Sequence, residues 1–523
     1  MKNAISTVLV IAALVAMDAR PASAATCESL ASLAFPDAAI TTAQPVAAGA
    51  FTAPAGGGRG GATQFGDLPA FCRVAATLKP SNDSDTKIEV WLPAASAEGS
   101  GEPRRSSDER SRASGWNGKF LAVGNGGWNG NIDRNALATG LRRGYATAST
   151  DTGHEGGGGP WMQRPEKLID FGYRAVHEMT VKARAIVNAY YENTARLSFF
   201  QGCSAGGRQG LKAAQRFPED FDGIVAGAPA LNTTGRAAFS MFVAQNLRKE
   251  EASYIPASKY PAIHDAVLQA CDGLDGVTDR VIENPRQCKF DPKVLECKGG
   301  DAPTCLTPAQ VESARLMYVP VRHSSTKKEI FPGLEYGSEL GWSTFGGQQP
   351  FAIGIQMYQN MVFKDPTWDF KTLNFDSHMA LVDTIENGAI NAMDPNLKAF
   401  VARGGKLIQY HGWADQQIPS GSSVRYFQSV LETMGGASKV KDNYRLFMVP
   451  GMGHCSGGDG TSTFDMLTAL EQWVEKGKAP DQIAASRVTD GRTDRTRPLC
   501  PYPQVASYTG SGSTDDAANF VCR

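Results

Sequence analysis

The segment that most constrains this chain lies between residues 197 and 217. An apolar run, Leu197-Ser198-Phe199-Phe200-Gln201, meets Gly202-Cys203-Ser204-Ala205-Gly206, and an amphipathic stretch over 208–217 follows. Strand, tight turn and helix in that order expose the central serine hydroxyl at the turn. A bend that sharp leaves no room for side chains two residues either side, which accounts for the glycines. The helix behind it would aim its first amide groups at negative charge developing beside the hydroxyl.

G-x-S-x-G alone is a weak motif; in this setting it reads as the nucleophile elbow of an α/β-hydrolase fold. The surrounding rhythm agrees. Short apolar strands are expected at residues 119–123, 145–149, 197–201 and 223–226, with helices at 171–191 and 208–217. Alternation of that kind predicts a mostly parallel sheet with helices on both faces. Upstream, residues 27–93 read as short strands and turns, and 87–92 alternate polar and apolar as a half-buried strand does. Residues 94–115 hold no large apolar side chain beyond their edges and read as a mobile surface loop.

The rhythm stops near Asn232 and resumes with strands at 406–410 and 444–449 and a helix at 463–476. The intervening stretch has long loops, four cysteines and scattered aromatics, including Trp342, Phe345, Phe351, Tyr358 and Trp368. It reads as a large inserted lid domain. The chain therefore divides into a signal peptide (1–24), a first part of the core (25–231), the lid (232–395) and a second part of the core (396–523).

A serine hydroxyl needs a base, and the base needs an orienting carboxylate. In α/β-hydrolases the order along the chain is serine, acid, histidine. Of seven histidines, His454 alone lies in a Gly-rich loop between a late strand and the last helix, within Pro450-Gly451-Met452-Gly453-His454-Cys455. Asp415 ends the preceding strand-loop segment, Tyr410-His411-Gly412-Trp413-Ala414-Asp415. Strand C-terminal ends are where an open α/β sheet places functional groups. His177 reads as structural, His411 as a residue that packs on or supports the acid, Asp394 as a turn residue, and His154 as part of a Gly-rich loop that borders the site. The oxyanion donors expected are the amide of Ala205 and, in the loop Gly124-Asn125-Gly126-Gly127-Trp128, that of Gly127, with Gly126 the near alternative.

Lys2, an apolar run over residues 4–17 and Ala22-Ser23-Ala24 form an export signal, with cleavage expected after Ala24. That run is too short to span a bilayer, and no later run approaches the necessary length. The ten cysteines are even in number and contain no C-x-x-C pair, so disulfides are expected rather than a zinc site. Spacing suggests Cys271 with Cys288, Cys297 with Cys305, and Cys500 with Cys522. Cys203 and Cys455 flank the candidate nucleophile and base, and would be near enough to bridge if those two meet. A formal net charge of -1 without basic stripes argues against nucleic acid or an anionic membrane as partner.

One further site lies in Cys271-Asp272-Gly273-Leu274-Asp275-Gly276-Val277-Thr278-Asp279-Arg280-Val281. Three carboxylates so close repel one another unless a cation sits among them. Asp275 and Asp279, with the carbonyls of Val277 and Val281, recur at every second position, as in loops wrapping calcium.

Together, G-C-S-x-G-G, G-M-x-H-C and D-G-x-D-G-V-x-D resemble the signatures of the tannase and feruloyl esterase family, which includes the hydrolase of mono(2-hydroxyethyl) terephthalate. The resemblance runs from about Cys27 to Cys522. It implies a secreted or periplasmic serine esterase acting on small esters of aromatic acids, with Ser204, Asp415 and His454 as triad; an aromatic-rich lid over the serine fits such substrates, since planar rings bury well against aromatic walls. It also implies disulfides 203–455, 27–72, 271–288, 297–305 and 500–522. A structural calcium would be held by Asp272, Asp275, Val277, Asp279 and Val281. The hydrophilic stretch 94–115 is longer than the family pattern leads one to expect. Two other readings of the same residues are a serine peptidase and an exported calcium-dependent binding module with a vestigial triad.

Overall fold

The computed structural model describes residues 26–53, 65–94 and 115–523. The signal segment and nearly all of the hydrophilic stretch 94–115 lie outside them. Nine strands form the central sheet: β1 (Ala38–Val46), β2 (Phe71–Leu78), β3 (Thr86–Pro93), β4 (Lys119–Val123), β5 (Ala146–Thr150), β6 (Leu197–Cys203), β7 (Gly223–Gly227), β8 (Lys406–Gly412) and β9 (Tyr444–Val449). Their order is β1-β2-β3-β5-β4-β6-β7-β8-β9. The first three run antiparallel to their neighbours, and from β5 to β9 every pairing is parallel.

Parallel strands buried on both faces read as continuous apolar runs, and Lys119-Phe120-Leu121-Ala122-Val123 is buried throughout. Phe120 and Ala122 join Phe200, Ile224, Leu407 and Leu446 in one core. Leu121 and Val123 join Phe199, Val225, Ile408 and Phe447 in the other. Helices α2 (Ala175–Tyr191), α3 (Ala205–Arg216) and α5 (Gly421–Met434) cover the first face, and α1 (Arg134–Arg142) and α6 (Met466–Lys476) the second; α4 (Thr233–Leu247) lies in the segment inserted between β7 and β8. Truncating a ring at this sheet, as in Phe200→Ala, should cost about 3–5 kcal/mol. A mixed sheet with helices on both faces and a serine elbow after β6 is the α/β-hydrolase fold.

Three local expectations need correction. Strand β3 is buried on both faces rather than half-buried. Glu89 can be buried there because Arg73 and Arg134 pair with it at 2.7 and 2.6 Å and Trp91 donates its indole N–H. The helix expected from 171 starts at Pro165 and passes through a π turn at Asp170–Arg174, where Arg174 reaches back to Asp170 and Glu166. The last helix begins at Met466, capped by Asp465 accepting from the Thr468 amide. Thr463–Phe464 instead pairs at the edge of Ile483–Thr489.

Between Gly227 and Lys406 no residue joins the central sheet. Of the three apolar clusters built mainly by this inserted segment, two are large. One gathers Phe239, Leu247, Met317, Trp342 and Phe345. The other gathers Met241, Met357, Tyr358, Met361 and Val382 around Trp128 of the core. Helix α4 feeds both.

Candidate active site

Strand β5 lies outside β4, and β6 returns to the other side of β4. The chain thus reverses direction between β4 and β6, where open α/β sheets form a crevice beyond the strand ends. Ser204 stands at that point with φ 63° and ψ -120°. Such a backbone costs on the order of 1–3 kcal/mol and persists only when its surroundings hold it. Here the Ser204 amide donates to the Gly227 carbonyl at 2.9 Å, and the Ser204 carbonyl accepts from Ala230 at 3.0 Å. A Cβ on Gly202 would lie 2.7 Å from the Gly206 backbone, and one on Gly124 2.5 Å from the Gly206 Cα. Those two glycines let the loops after β4 and β6 close around the serine.

Asp415 and His454 meet across the same crevice. The His454 Nδ1–H donates to Asp415 Oδ2 at 2.8 Å, and no hydrogen bond engages Nε2 among the described residues. The His454 amide donates to Gln416 Oε1 at 3.1 Å. Asp415 is 1% exposed. Its Oδ1 accepts from the amides of Gln417 and Ile418, both at 2.8 Å. Burial opposes its charge, but the His454 charge and hydrogen bonds from His411 and His454 outweigh that and hold the carboxyl well below the usual range. Cys203 and Cys455 form a disulfide with Cα atoms 6.1 Å apart, tying the elbow to the histidine loop across 252 residues. The other disulfides join Cys27 with Cys72, Cys271 with Cys288, Cys297 with Cys305 and Cys500 with Cys522.

Ser204 and His454 line one cavity of about 660 Å³ together with residues 124–129, Ile353, Gln356 and Gln417. No hydrogen bond joins the two side chains, a looseness common before substrate binds. The amides of Gly126 and Gly127 donate to no acceptor among the described residues, whereas that of Asn125 is taken by Gln209 Oε1 at 3.1 Å. Ala205 opens α3, so its amide is free of the helix ladder too. Gly126 and Gly127 line the cavity directly, and Ala205 adjoins it through Ser204.

The Gly-rich loop of His154 borders the cavity through Gly157 and Gly158, but the His154 ring does not line it. That ring is buried, stacks on Trp161 at 3.9 Å and donates Nε2–H to the Trp128 carbonyl at 2.8 Å, which ties it to the loop after β4. The lid aromatics do not wall the cavity either. Tyr358 stacks with Phe363 and Trp368, and Phe345 packs on Phe239 and Phe351, because these rings fill the inserted segment's own clusters. From that segment the cavity receives Ile353 and Gln356, which no sequence pattern singles out. His177 pairs with Asp220 at 2.9 Å, away from the site.

The acidic loop is a separate structure. Asp272 accepts from the amides of Asp279 and Arg280 at 3.2 and 2.8 Å, and Asp275 from that of Val277 at 2.9 Å. Asp279 pairs with Arg497 and, at 3.4 Å, with Arg495 of the C-terminal hairpin. Burial and the neighbouring charges of Asp279 and Asp272 push the Asp275 carboxyl up. Val277 and Val281 are buried, yet their carbonyls accept no hydrogen bond among the described residues. The three carboxylates do not gather their oxygens within 4.8 Å of one another, so the part of the loop that suits calcium is the pair of free carbonyls with Asp275 beside them.

The model of the family described as tannase and feruloyl esterase matches residues 110–523. The chain belongs to this family. An uncharacterized esterase of Xanthomonas campestris is 36% identical over 98% of this chain and 93% of its own length. A probable feruloyl esterase B-2 of Neosartorya fischeri is 34% identical over 86% of each chain. Among solved structures, feruloyl esterase B from Aspergillus oryzae superposes with a TM-score of 0.85 at 30% identity, over 95% of this chain and 99% of that one. Tannin acyl hydrolase from Aspergillus niger, 21% identical, shares the fold with a TM-score of 0.74 over 93% and 92%. This tannase-family protein is a carboxylic ester hydrolase.

Proposed function

We propose that this esterase cleaves esters of aromatic acids, of the feruloyl or galloyl kind, through an acyl-enzyme on Ser204. The observation that carries the reading is the His454–Asp415 hydrogen bond of 2.8 Å beside the cavity that Ser204 lines. His454 Nε2 takes the Ser204 proton as Oγ attacks the ester carbonyl, and ionised Asp415 stabilises the imidazolium. The amides of Ala205 and Gly127, or Gly126 in its place, receive the oxyanion. His454 then protonates the departing alcohol, and water releases the acid by the reverse route. Trp128 and Ile353 offer apolar walls for a planar acyl group.

The feruloyl assignment draws on the names of the relatives. A panel of feruloyl, galloyl, chlorogenate and mono(2-hydroxyethyl) terephthalate esters, with matched anilides, tests it by relative kcat/KM. A preference for the terephthalate half-ester or for anilides would replace it. Ser204→Ala should abolish turnover on every ester without unfolding the chain; turnover comparable to wild type refutes the nucleophile.

Two further parts of the reading are export and calcium. The signal-like residues 1–24 and five disulfides support an oxidising compartment. Asp272, Asp275, Asp279 and the carbonyls of Val277 and Val281 would hold calcium as a structural ion, pinning the inserted segment to the C-terminal hairpin. Mass spectrometry of the exported protein, finding residue 25 as its first, and metal analysis, finding one calcium per chain, check these two points. An intact leader or a metal-free native protein would contradict them.

A further inference from the structure

Asp415 Oδ2 receives two imidazoles. Besides His454, the fully buried His411 at the end of β8 approaches it with Nε2 at 3.0 Å. The same Nε2 is 3.0 Å from the Ile418 carbonyl. A carbonyl can only accept, so the proton sits on Nε2. His411 Nδ1 lies 2.7 Å from Ser423 Oγ, which also receives the Gln409 amide at 2.6 Å; Gln409 Oε1 in turn accepts from Tyr444 at 2.5 Å. Followed from Tyr444, every group has one consistent role. Tyr444 donates to Gln409, Gln409 to Ser423, Ser423 to His411, and His411 to Asp415. With Ser423 accepting from Gln409 and donating its own proton to Nδ1, that nitrogen is an acceptor and the imidazole is neutral.

We propose that His411, locked neutral by Gln409 and Ser423, is a positioning residue of this esterase that tunes the acid for the base. The inference rests on the triad reading above. A neutral N–H fixes the carboxylate and withdraws part of its charge without opposing the imidazolium that forms on His454. A second imidazolium on the same oxygen would oppose it. The charged and titratable groups around this chain are Asp415 and His454 on the two loops, Tyr444 on β9 with Tyr426 beside it, and Arg236 on α4 acting on Asp415. Tyr444 and Tyr426 are buried phenols whose ionisation burial pushes up, so they stay neutral. Arg236 is cationic throughout.

The test is the acid limb of kcat/KM against pH, which reports protonation of the free enzyme's base. His411→Leu removes the donor. It should lower kcat by about 10- to 100-fold and move the limb upward by about 0.5–1 pH unit, since an undivided carboxylate holds the imidazolium more tightly. His411→Gln can restore a donor near Nε2, and should return the limb to within about 0.2 pH unit of wild type. A merely structural role would lower the active fraction and leave the limb in place, which overturns the proposal. So would a glutamine variant shifted as far as the leucine one. Should His411→Leu not fold, Ser423→Ala decides. Without the hydroxyl a second proton can enter at Nδ1, and the limb should steepen from one ionisation to two; an unchanged slope overturns the proposal. Titration of active sites with a fluorophosphonate in every variant separates these outcomes from failure of the triad reading, which would show as an unlabelled, inactive wild type.

Discussion

Two acidic loops in this molecule handle buried negative charge in opposite ways. At Asp415 the protein supplies every donor: two backbone amides on Oδ1 and two imidazoles on Oδ2. At residues 272–281 three carboxylates share backbone amides and two arginines, while two buried carbonyls face no donor at all. The first loop is complete in itself and stays ionised with its charge directed at one imidazole. The second leaves two oxygen donors without a partner, which the proposed calcium would meet. The proposed chemistry uses the loop whose charge is already positioned, and the proposed ion would clamp the other.

The sharpest way to break this contrast is Asp415→Asn. The amides on Oδ1 can be kept, but an NH₂ cannot accept the His454 proton, and kcat should fall by about 10⁴-fold with the fold retained. A loss under tenfold in steady-state kinetics would mean the loop's charge is not what orients the base.

Chelation addresses the other loop. Removing calcium should lower the melting temperature by about 3–5 °C in a calorimetric scan while leaving Ser204 labelling intact. A chelator that abolishes labelling at unchanged stability would reverse the two roles.

A third test asks whether the loops are coupled. The helix Tyr260–Cys271 runs straight into Asp272, and its His264 bridges Glu339 at 2.8 Å and Asp459 of the histidine loop at 2.9 Å. Burial opposes the charge of His264, but the two carboxylates outweigh it and raise its pKa to about 9. A folded pKa above the free value of about 6.5 means the stabilisation is full below that pH and lost as pH rises through about 9. His264→Gln should thus cost on the order of 2 kcal/mol near neutrality, discounted for the partly exposed Asp459, and the difference from wild type should shrink by pH 10. A constant difference in denaturant melts across that range would show that the pair is not ionic.

The smallest effect is expected from Gln416→Ala, which frees the His454 amide and should lower kcat by about three- to tenfold. No change in turnover would mean that this amide contact does not position the histidine.

Legibility in the sequence follows the same division. The core strands could be read because burial on both faces leaves unbroken apolar runs such as residues 119–123, and the elbow because its glycines are sterically forced. Ser204, Asp415 and His454 stood out by their places at strand ends, and the structure brings them to one crevice. Glu89 misled because a charge paired by two arginines looks like a solvent-facing residue. The lid aromatics misled because composition does not say whether rings face a cavity or each other. His411 carried a signal, its place four residues before the acid, but its role depends on Ser423 and Gln409, whose contact is tertiary. Ile353 and Gln356 carried none, since the five-residue helix Ala352–Gln356 that bears them is too short to show a period.

The most direct test of the central claim is covalent capture. Incubation with a fluorophosphonate followed by peptide mass spectrometry should place one adduct per chain on Ser204, with labelling lost in Ser204→Ala and strongly slowed in His454→Ala. An adduct on any other residue, or full esterase activity in the labelled protein, would contradict the account.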